Sequence, residues 1–303
     1  MKFLIFFLFI LTSVSGCPRI GAGPAEKLPL PAGEAFFYPR FDASGEKLLL
    51  TSGNYRGLKM ADLTTGNLLT ISDVDGAGYA PHFSGDGSRV IFVEQEFREN
   101  LRYSRLVSYS LANGETTPLR PFSRELPQPV LAGSEVLCVE EGQLKSAVPG
   151  AEESVLPNAA AVVIEEQQLV LYRQGERKVL EPYPLESYIW PSLSPDGKKI
   201  LAYAMGRGSF VCDLDGEILF TAGSMEAPVW AGDRLVAGMV TSDDGHRITR
   251  SEVVVLSTET GEIRTISPPG SIALFPAVSV AAGRIAWHTP EGEVFVQKYI
   301  LNR

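Results

Sequence analysis

The sequence predicts an all-β fold in which short antiparallel strands form the blades of a β-propeller. Three observations support this: turn residues are frequent, a short motif recurs, and an apolar segment of strand length follows each copy. Of the 303 residues, 29 are Gly and 21 are Pro, which excludes a bundle of long helices. Hydrophobic residues make up 45% of the chain, enough for a sizeable core.

The recurring motif is a Pro-x-apolar element followed by a turn that contains Gly. Its clearest copies start at Pro81 (PHFSGDG) and Pro191 (PSLSPDG), and another starts at Pro39. A strand follows each copy, and a third strand then ends in a second turn, such as the Asn113-Gly114 pair. Asn-Gly and Asp-Gly pairs supply the positive φ that hairpins require. Four short strands per repeat are typical of a propeller blade.

The repeats set the expected blade count. Apolar strands are predicted after each motif at 47–52, 89–93, 135–139, 199–204, 234–240 and 284–288. Blade starts at 39, 81, 129, 157, 191, 228 and 276 give seven blades of four strands. The alternative is six blades, with 129–190 as one irregular blade. Several strands are apolar on both faces, which fits blades packed between other blades.

The last repeat ends after about three strands and would leave an open sheet edge. Residues 26–30 have an apolar-Pro-apolar pattern that an edge strand tolerates. We therefore expect this segment to close the ring from the N-terminal side.

The N-terminus predicts secretion and a lipid. Lys2 precedes an apolar stretch over residues 3–11, as in a signal peptide, and Val14-Ser15-Gly16-Cys17 resembles a bacterial lipobox. That resemblance implies a signal peptide over 1–16, a lipid on Cys17, a tether over 17–33 and one propeller domain over 34–303. It also implies a lipid-anchored place in the bacterial cell envelope, with Pro18 favouring the outer membrane facing the periplasm. The alternative is an ordinary secretory signal with an incidental Cys.

The two other cysteines, Cys138 and Cys212, each lie inside an apolar run. This context favours two buried free thiols over a disulfide.

The motif also carries a family resemblance. Pro-x-Phe/Leu-Ser-x-Asp-Gly-x-x-Val/Ile, best kept at 81–90 and 191–200, is similar to the TolB-like or WD40-like propeller repeat of bacterial envelope proteins. The resemblance covers residues 35–303. TolB itself carries an additional N-terminal α/β domain, whereas fewer than twenty residues separate Cys17 from the first blade here. The Tol–Pal role of TolB is therefore not carried over.

Motifs for catalysis and cofactors are absent from the sequence. It contains no Gly-x-Ser-x-Gly elbow, no His-Glu-x-x-His and no P-loop, so we predict no cofactor and no metal. The three histidines lie in different repeats. A net charge of −9 without a basic run argues against nucleic acid as a partner.

The candidate binding residues lie beside the blade-start prolines, where the inner strands of a propeller enter the central funnel. They are Tyr38, Arg40, Tyr79, His82, Tyr188, Trp190, Glu226 and Phe275. Aromatic side chains with polar tips suit recognition of a protein, peptide or glycan. The sequence thus predicts a lipid-anchored, non-catalytic binding or scaffold protein. The alternative is a propeller-fold lyase or hydrolase that uses His82, Arg40 and carboxylates of the funnel as acid and base.

Overall fold

The computed structural model of the chain describes residues 19–126, 129–132, 135–147 and 159–302. Within these ranges it contains strands and one short 3-10 helix, Gly53–Tyr55, and no helix there is long and apolar enough to cross a bilayer. The strands are β1 (Arg19–Lys27), β2 (Phe37–Phe41), β3 (Lys47–Thr51), β4 (Leu58–Asp62), β5 (Leu68–Ser72), β6 (His82–Phe83), β7 (Arg89–Arg98), β8 (Leu101–Ser110), β9 (Thr116–Pro118), β10 (Val130–Ala132), β11 (Glu135–Glu140), β12 (Gln143–Ser146), β13 (Ala160–Glu165), β14 (Gln168–Arg173), β15 (Glu176–Leu180), β16 (Tyr188–Leu193), β17 (Lys199–Ala204), β18 (Gly208–Asp213), β19 (Ile218–Thr221), β20 (Glu226–Gly232), β21 (Leu235–Asp243), β22 (Ile248–Ser257), β23 (Ile263–Thr265), β24 (Leu274–Ser279), β25 (Arg284–His288) and β26 (Val294–Asn302).

These strands form small antiparallel sheets arranged as a β-propeller, which confirms the predicted fold. In the described ranges five sheets have four strands: β2–β5, β6–β9, β16–β19, β20–β23, and β24–β26 with β1. Two sheets, β10–β12 and β13–β15, have three strands each. They come from the segment that the sequence left open between one irregular blade and two. Counted as separate sheets they give seven blades, and counted as one irregular blade they give six.

The core lies between the blades. Leu48, Leu49 and Leu50 of β3 are all at most 1% exposed although they alternate between the two faces of the sheet. Leu49 packs with Phe92 of the β6–β9 blade, whereas Leu48 and Leu50 pack with Ala286 of the last blade. Both faces of a blade are therefore buried, as the apolar strands predicted.

The turn of the recurring motif is held by its own side chains. Ser194 donates a hydrogen bond to Asp196 at 2.6 Å, and the backbone N–H of Lys199 donates to Ser194 Oγ at 2.9 Å. Ser84 donates to Asp86 in the same way at 2.6 Å, and this bond together with those from Ser88 lowers the Asp86 pKa to about 2. The motif therefore specifies the turn that sends each inner strand into the next strand.

The N-terminal segment closes the ring, but with other bounds than predicted. Strand β1 (Arg19–Lys27) pairs antiparallel with β26 as the outermost strand of the last blade. Only two of the predicted residues 26–30 belong to it, and Leu28 and Leu30 pack beside the strand as partly buried side chains. Residues 19–27, which the Gly-rich and Pro-rich composition assigned to a tether, are thus part of the propeller. Cys17 lies outside the described residues, so its lipidation stays a prediction.

Both cysteines of the propeller are buried free thiols, as predicted. Burial raises the pKa of Cys138 to about 11 and that of Cys212 to about 12. Neither thiol forms a reactive thiolate at neutral pH.

The closing strand provides a stability test. Ile20 is 1% exposed and packs in the core beside Trp287 and Tyr299. Ile20→Ala should cost roughly 2–4 kcal/mol of unfolding free energy, and calorimetry should show this as a lower melting temperature. The control is Lys27→Ala on the same strand, which removes only an exposed ion pair with Glu293 and should change little. Equal melting of Ile20→Ala and the wild type would contradict closure by β1.

Candidate functional site

The inner strands reach the funnel through a repeated backbone irregularity. In β2, β16, β20 and β24 the register against the next strand shifts by one extra residue. The residue before the blade-start Pro has a positive φ in each of these strands and before β6. These residues are Tyr38 (φ 51), Ala80 (φ 48), Trp190 (φ 53), Ala227 (φ 46) and Phe275 (φ 50). Bulky residues rarely adopt this conformation, and such strain concentrates at functional sites.

The bulges of the first and last blades bring aromatic rings together. Tyr38 stacks on Tyr55 with ring centroids 4.6 Å apart, and its edge meets Phe275 at 4.8 Å. Tyr55 in turn contacts Tyr79 at 5.2 Å. We call Tyr38, Tyr55, Tyr79, Phe275 and His288 the mouth cluster. It links the β24–β26 blade, the β2–β5 blade and the connection into β6.

His288 forms the buried side of the mouth cluster. Its ring stacks on Phe275 at 5.7 Å and lies 5.2 Å from the Tyr38 ring. Nδ1 is 2.9 Å from the Thr289 carbonyl oxygen, so Nδ1 carries the proton and donates it. Nε2 is then a buried acceptor that has no hydrogen-bond partner in the described part of the chain. Burial lowers the pKa of this imidazole, which keeps it neutral at pH 7.

Arg40 lies in the funnel below the cluster. Its surface is solvent-accessible, yet desolvation by the surrounding protein lowers its pKa. Protein atoms therefore surround the side chain closely, although part of its surface stays open to solvent. The only groups that raise this pKa are the hydroxyls of Tyr79 and Tyr55, and the Tyr55 pKa is itself raised by burial and by a hydrogen bond with Tyr38. A guanidinium stays charged in proteins at neutral pH, so Arg40 carries its positive charge.

His82 occupies the corresponding position of the next blade, directly after its blade-start Pro. Desolvation and then the Arg40 charge lower its pKa to about 3, partly offset by a hydrogen bond to the Pro129 carbonyl. His82 is therefore neutral at pH 7 and only weakly basic. Arg40 and His82 together form the polar part of the funnel on this side.

The structure separates the remaining predicted residues from this cluster. Tyr188 is 3% exposed, and its hydroxyl donates to the Tyr183 carbonyl at 2.6 Å. Tyr188 packs in the core, so the prediction that it is a surface contact is wrong. It lies in the regularly paired part of β16, before the register shift that follows Ile189. Trp190 is 38% exposed and contacts only Tyr203 of its own blade among the described rings. Glu226 is half-buried at the start of β20 opposite Met239.

Sequence reasoning missed two members of the cluster. Tyr55 lies in the turn between β3 and β4, and His288 ends β25, so neither is next to a blade-start Pro. The available signal for Tyr55 was an aromatic side chain inside a Gly-Asn turn. Its approach to Tyr38 depends on the antiparallel register of β2 and β3, which pairs Phe37 with Thr51.

The face around the mouth also exposes apolar side chains. In antiparallel blades, the connection into each inner strand and the turn between the second and third strands share one end of the sheet. Eight of the thirteen exposed large hydrophobic residues lie at this end: Val74, Tyr79, Phe97, Leu101, Leu185, Trp190, Met205 and Val240. We call this end the mouth face. The β7–β8 and β21–β22 hairpins extend beyond the inner strands on the same face.

In the ranges that the structure describes, no three His, Cys, Asp or Glu side chains lie close enough to hold a metal ion.

Comparisons with known proteins give the fold alone. No protein-family model and no curated protein matches the chain. An oligogalacturonate lyase from Vibrio parahaemolyticus has a TM-score of 0.52 at 12% identity, with 93% of this chain and 96% of that chain covered. TolB from Acinetobacter baumannii has a TM-score of 0.53 at 18% identity, with 82% of this chain and 58% of that chain covered.

A third similar structure is the β-propeller domain of the Trilobed protease from Pyrococcus furiosus. Its TM-score is 0.58 at 13% identity, with 88% of this chain and 97% of that chain covered. That domain is described as having an open velcro topology, whereas β1 pairs with β26 here. The three neighbours support a TolB-like propeller and do not distinguish a binding protein from an enzyme.

The electrostatics of the funnel can be tested by titration. The substitution Arg40→Gln should raise the pKa of His82, because it removes the neighbouring positive charge. Desolvation should still hold the His82 pKa below its usual range. NMR of the imidazole signals between pH 3 and 7, assigned with His82→Asn, measures this. Arg56→Gln, which removes an exposed arginine paired with Asp75, is the control. An unchanged His82 pKa in Arg40→Gln would contradict this arrangement of the funnel.

Proposed function

We propose that this chain is a non-catalytic binding protein of the bacterial cell envelope, which holds a partner at the mouth of its propeller. The observation that carries the proposal is the mouth cluster, in which aromatic rings from two neighbouring blades and a connection pack together at one end of the inner strands. Each ring rests against another ring of the cluster. Such preorganised aromatic anchors bind at a small cost in conformational entropy.

The rest of the mouth face favours a protein as the partner. Its exposed aliphatic residues include Leu185, which is fully exposed, and Met205 at 49%. Apolar side chains that collect on one face of a soluble protein are typical of protein interaction surfaces. Glycan sites depend mainly on aromatic platforms and polar groups, and these aliphatic residues would contribute nothing to them.

The alternative function is a lyase or hydrolase that works in the funnel. It requires an acid or base that titrates near the working pH. His82, with a pKa of about 3, and the buried His288 are both neutral at pH 7, so neither supplies a proton there. This electrostatic state favours binding over proton transfer.

A capture experiment tests the binding site. Tyr79 and Trp190 are both aromatic, both at the mouth face and both 38% exposed, but only Tyr79 belongs to the cluster. Tyr79→Ala should weaken capture of a crosslinked envelope protein roughly tenfold or more, and Trp190→Ala, on the same face but outside the cluster, should weaken it much less. Quantitative mass spectrometry of the captured proteins gives the readout. The reverse pattern, or equal capture by both variants, would contradict a site at the mouth cluster.

We also propose that Cys17 anchors the protein through a lipid, on the strength of the lipobox resemblance. Several acyl chains give stable membrane attachment. Cys17→Ala should release the chain from the membrane fraction or leave it uncleaved, as cell fractionation and intact mass would record. Cys138→Ala, which changes a buried thiol, should keep the lipid. A Cys17→Ala protein that stays in membranes with a lipid-modified mass would exclude this anchor.

A further inference from the structure

Arg40 lacks the carboxylate partner that two other arginines of the propeller have. Arg105 pairs with Glu94 at 2.7 Å, and Arg120 pairs with Glu140 at 2.6 Å. Arg40 has no carboxylate within ion-pair distance in the part of the chain that the structure describes. Its electrostatic neighbours are tyrosine hydroxyls and His82. The funnel therefore holds one uncompensated positive charge.

An uncompensated charge in a desolvated place is unfavourable for the free protein. The neighbouring groups leave this charge available to an anion. His82 is neutral and adds no competing positive charge. No acidic side chain among the described residues forms an ion pair with the Arg40 guanidinium. The site can therefore bind an anionic group that another molecule supplies.

The number of charges selects the kind of anion. A guanidinium presents a planar fork that matches the two oxygens of a carboxylate. Phosphate groups carry more charge and are usually held by several cations or by a helix N-terminus, whereas Arg40 is a single cation. The aliphatic residues of the surrounding mouth face then favour a protein over an acidic polysaccharide.

We propose that Arg40 binds a carboxylate of the protein partner, supplied by an acidic side chain or a C-terminus that enters the funnel. This inference rests on the proposed function and names the chemistry that the site recognises. The entering segment lies against Tyr79, which is an exposed ring of the mouth cluster. Its carboxylate takes two hydrogen bonds from the guanidinium and forms the ion pair that the free protein lacks.

The test uses the full chain and three blocked peptides. They are acetyl-Leu-Glu-Phe-amide, acetyl-Leu-Gln-Phe-amide, and acetyl-Leu-Gln-Phe with a free C-terminus. Binding is followed by NMR through the His82 ring signals. At least one of the two carboxylate peptides should bind roughly tenfold or more tightly than the neutral amide peptide. The tighter of the two identifies a side chain or a C-terminus as the source.

Variants of the protein assign the effect. Arg40→Gln should abolish the preference for a carboxylate, and Arg40→Lys should retain part of it. Arg56→Gln, at the turn beside Tyr55, is the matched control and should keep the full preference. Arg40→Gln should also melt at the same or a higher temperature than the wild type, because it removes an uncompensated charge.

Several outcomes would overturn the inference. It fails if Arg40→Gln keeps the preference, if no carboxylate peptide binds up to its solubility limit, or if hexagalacturonate binds through Arg40 while the peptides do not. Failure here is distinct from failure of the proposed function. Capture of a protein that depends on Tyr79 but not on Arg40 would leave the binding function standing and remove only the carboxylate contact.

Discussion

The pairing of β1 with β26 is the contact on which the rest of the structure depends. A propeller blade is stable only between two neighbouring blades, because both faces of its sheet are apolar. The last blade supplies three strands from the C-terminal end, and β1 adds the fourth from the other end of the described chain. This pairing holds β24 beside β2 and so brings Phe275 within 4.8 Å of Tyr38. Closure of the ring therefore also positions the rings of the mouth cluster.

The same motif builds the fold and the site. A blade-start Pro has no N–H to donate and fixes its own φ, so the strand accommodates it at a bulge. The residue before it takes a positive φ, and in Tyr38, Trp190 and Phe275 that residue is aromatic. The packing of seven sheets, or six blades if two are combined, compensates for the local strain. What serves as a fold signature in the sequence thus also directs aromatic side chains to the funnel.

The sequence predicted the blades well because each blade is local. Hairpin turns, apolar strands and the Ser-x-Asp-Gly turn lie within a few residues of one another, so their pattern is visible without the ring. The closing strand was predicted too far along the chain. The composition of β1 is Gly-rich and does not indicate a strand, because pairing with β26 is what stabilises it. Tyr188 was misassigned and Tyr55 was missed for a related reason. Which side of a bulge a ring occupies depends on register, and sequence spacing alone does not determine that.

The residue after each blade-start Pro is where the repeats differ most in chemistry. Among the described residues these are Arg40, His82, Val130, Ser192, Val229 and Ala277. The charged and titratable members are in adjacent blades, and the others are small or apolar. The backbone repeats from blade to blade, but the side chain at this position varies. The charged and titratable side chains therefore lie on the side of the funnel formed by the blades of Arg40 and His82. Among the described residues that follow a blade-start Pro, Arg40 is the one cation, so the proposed partner would meet its charge on the side of the aromatic cluster.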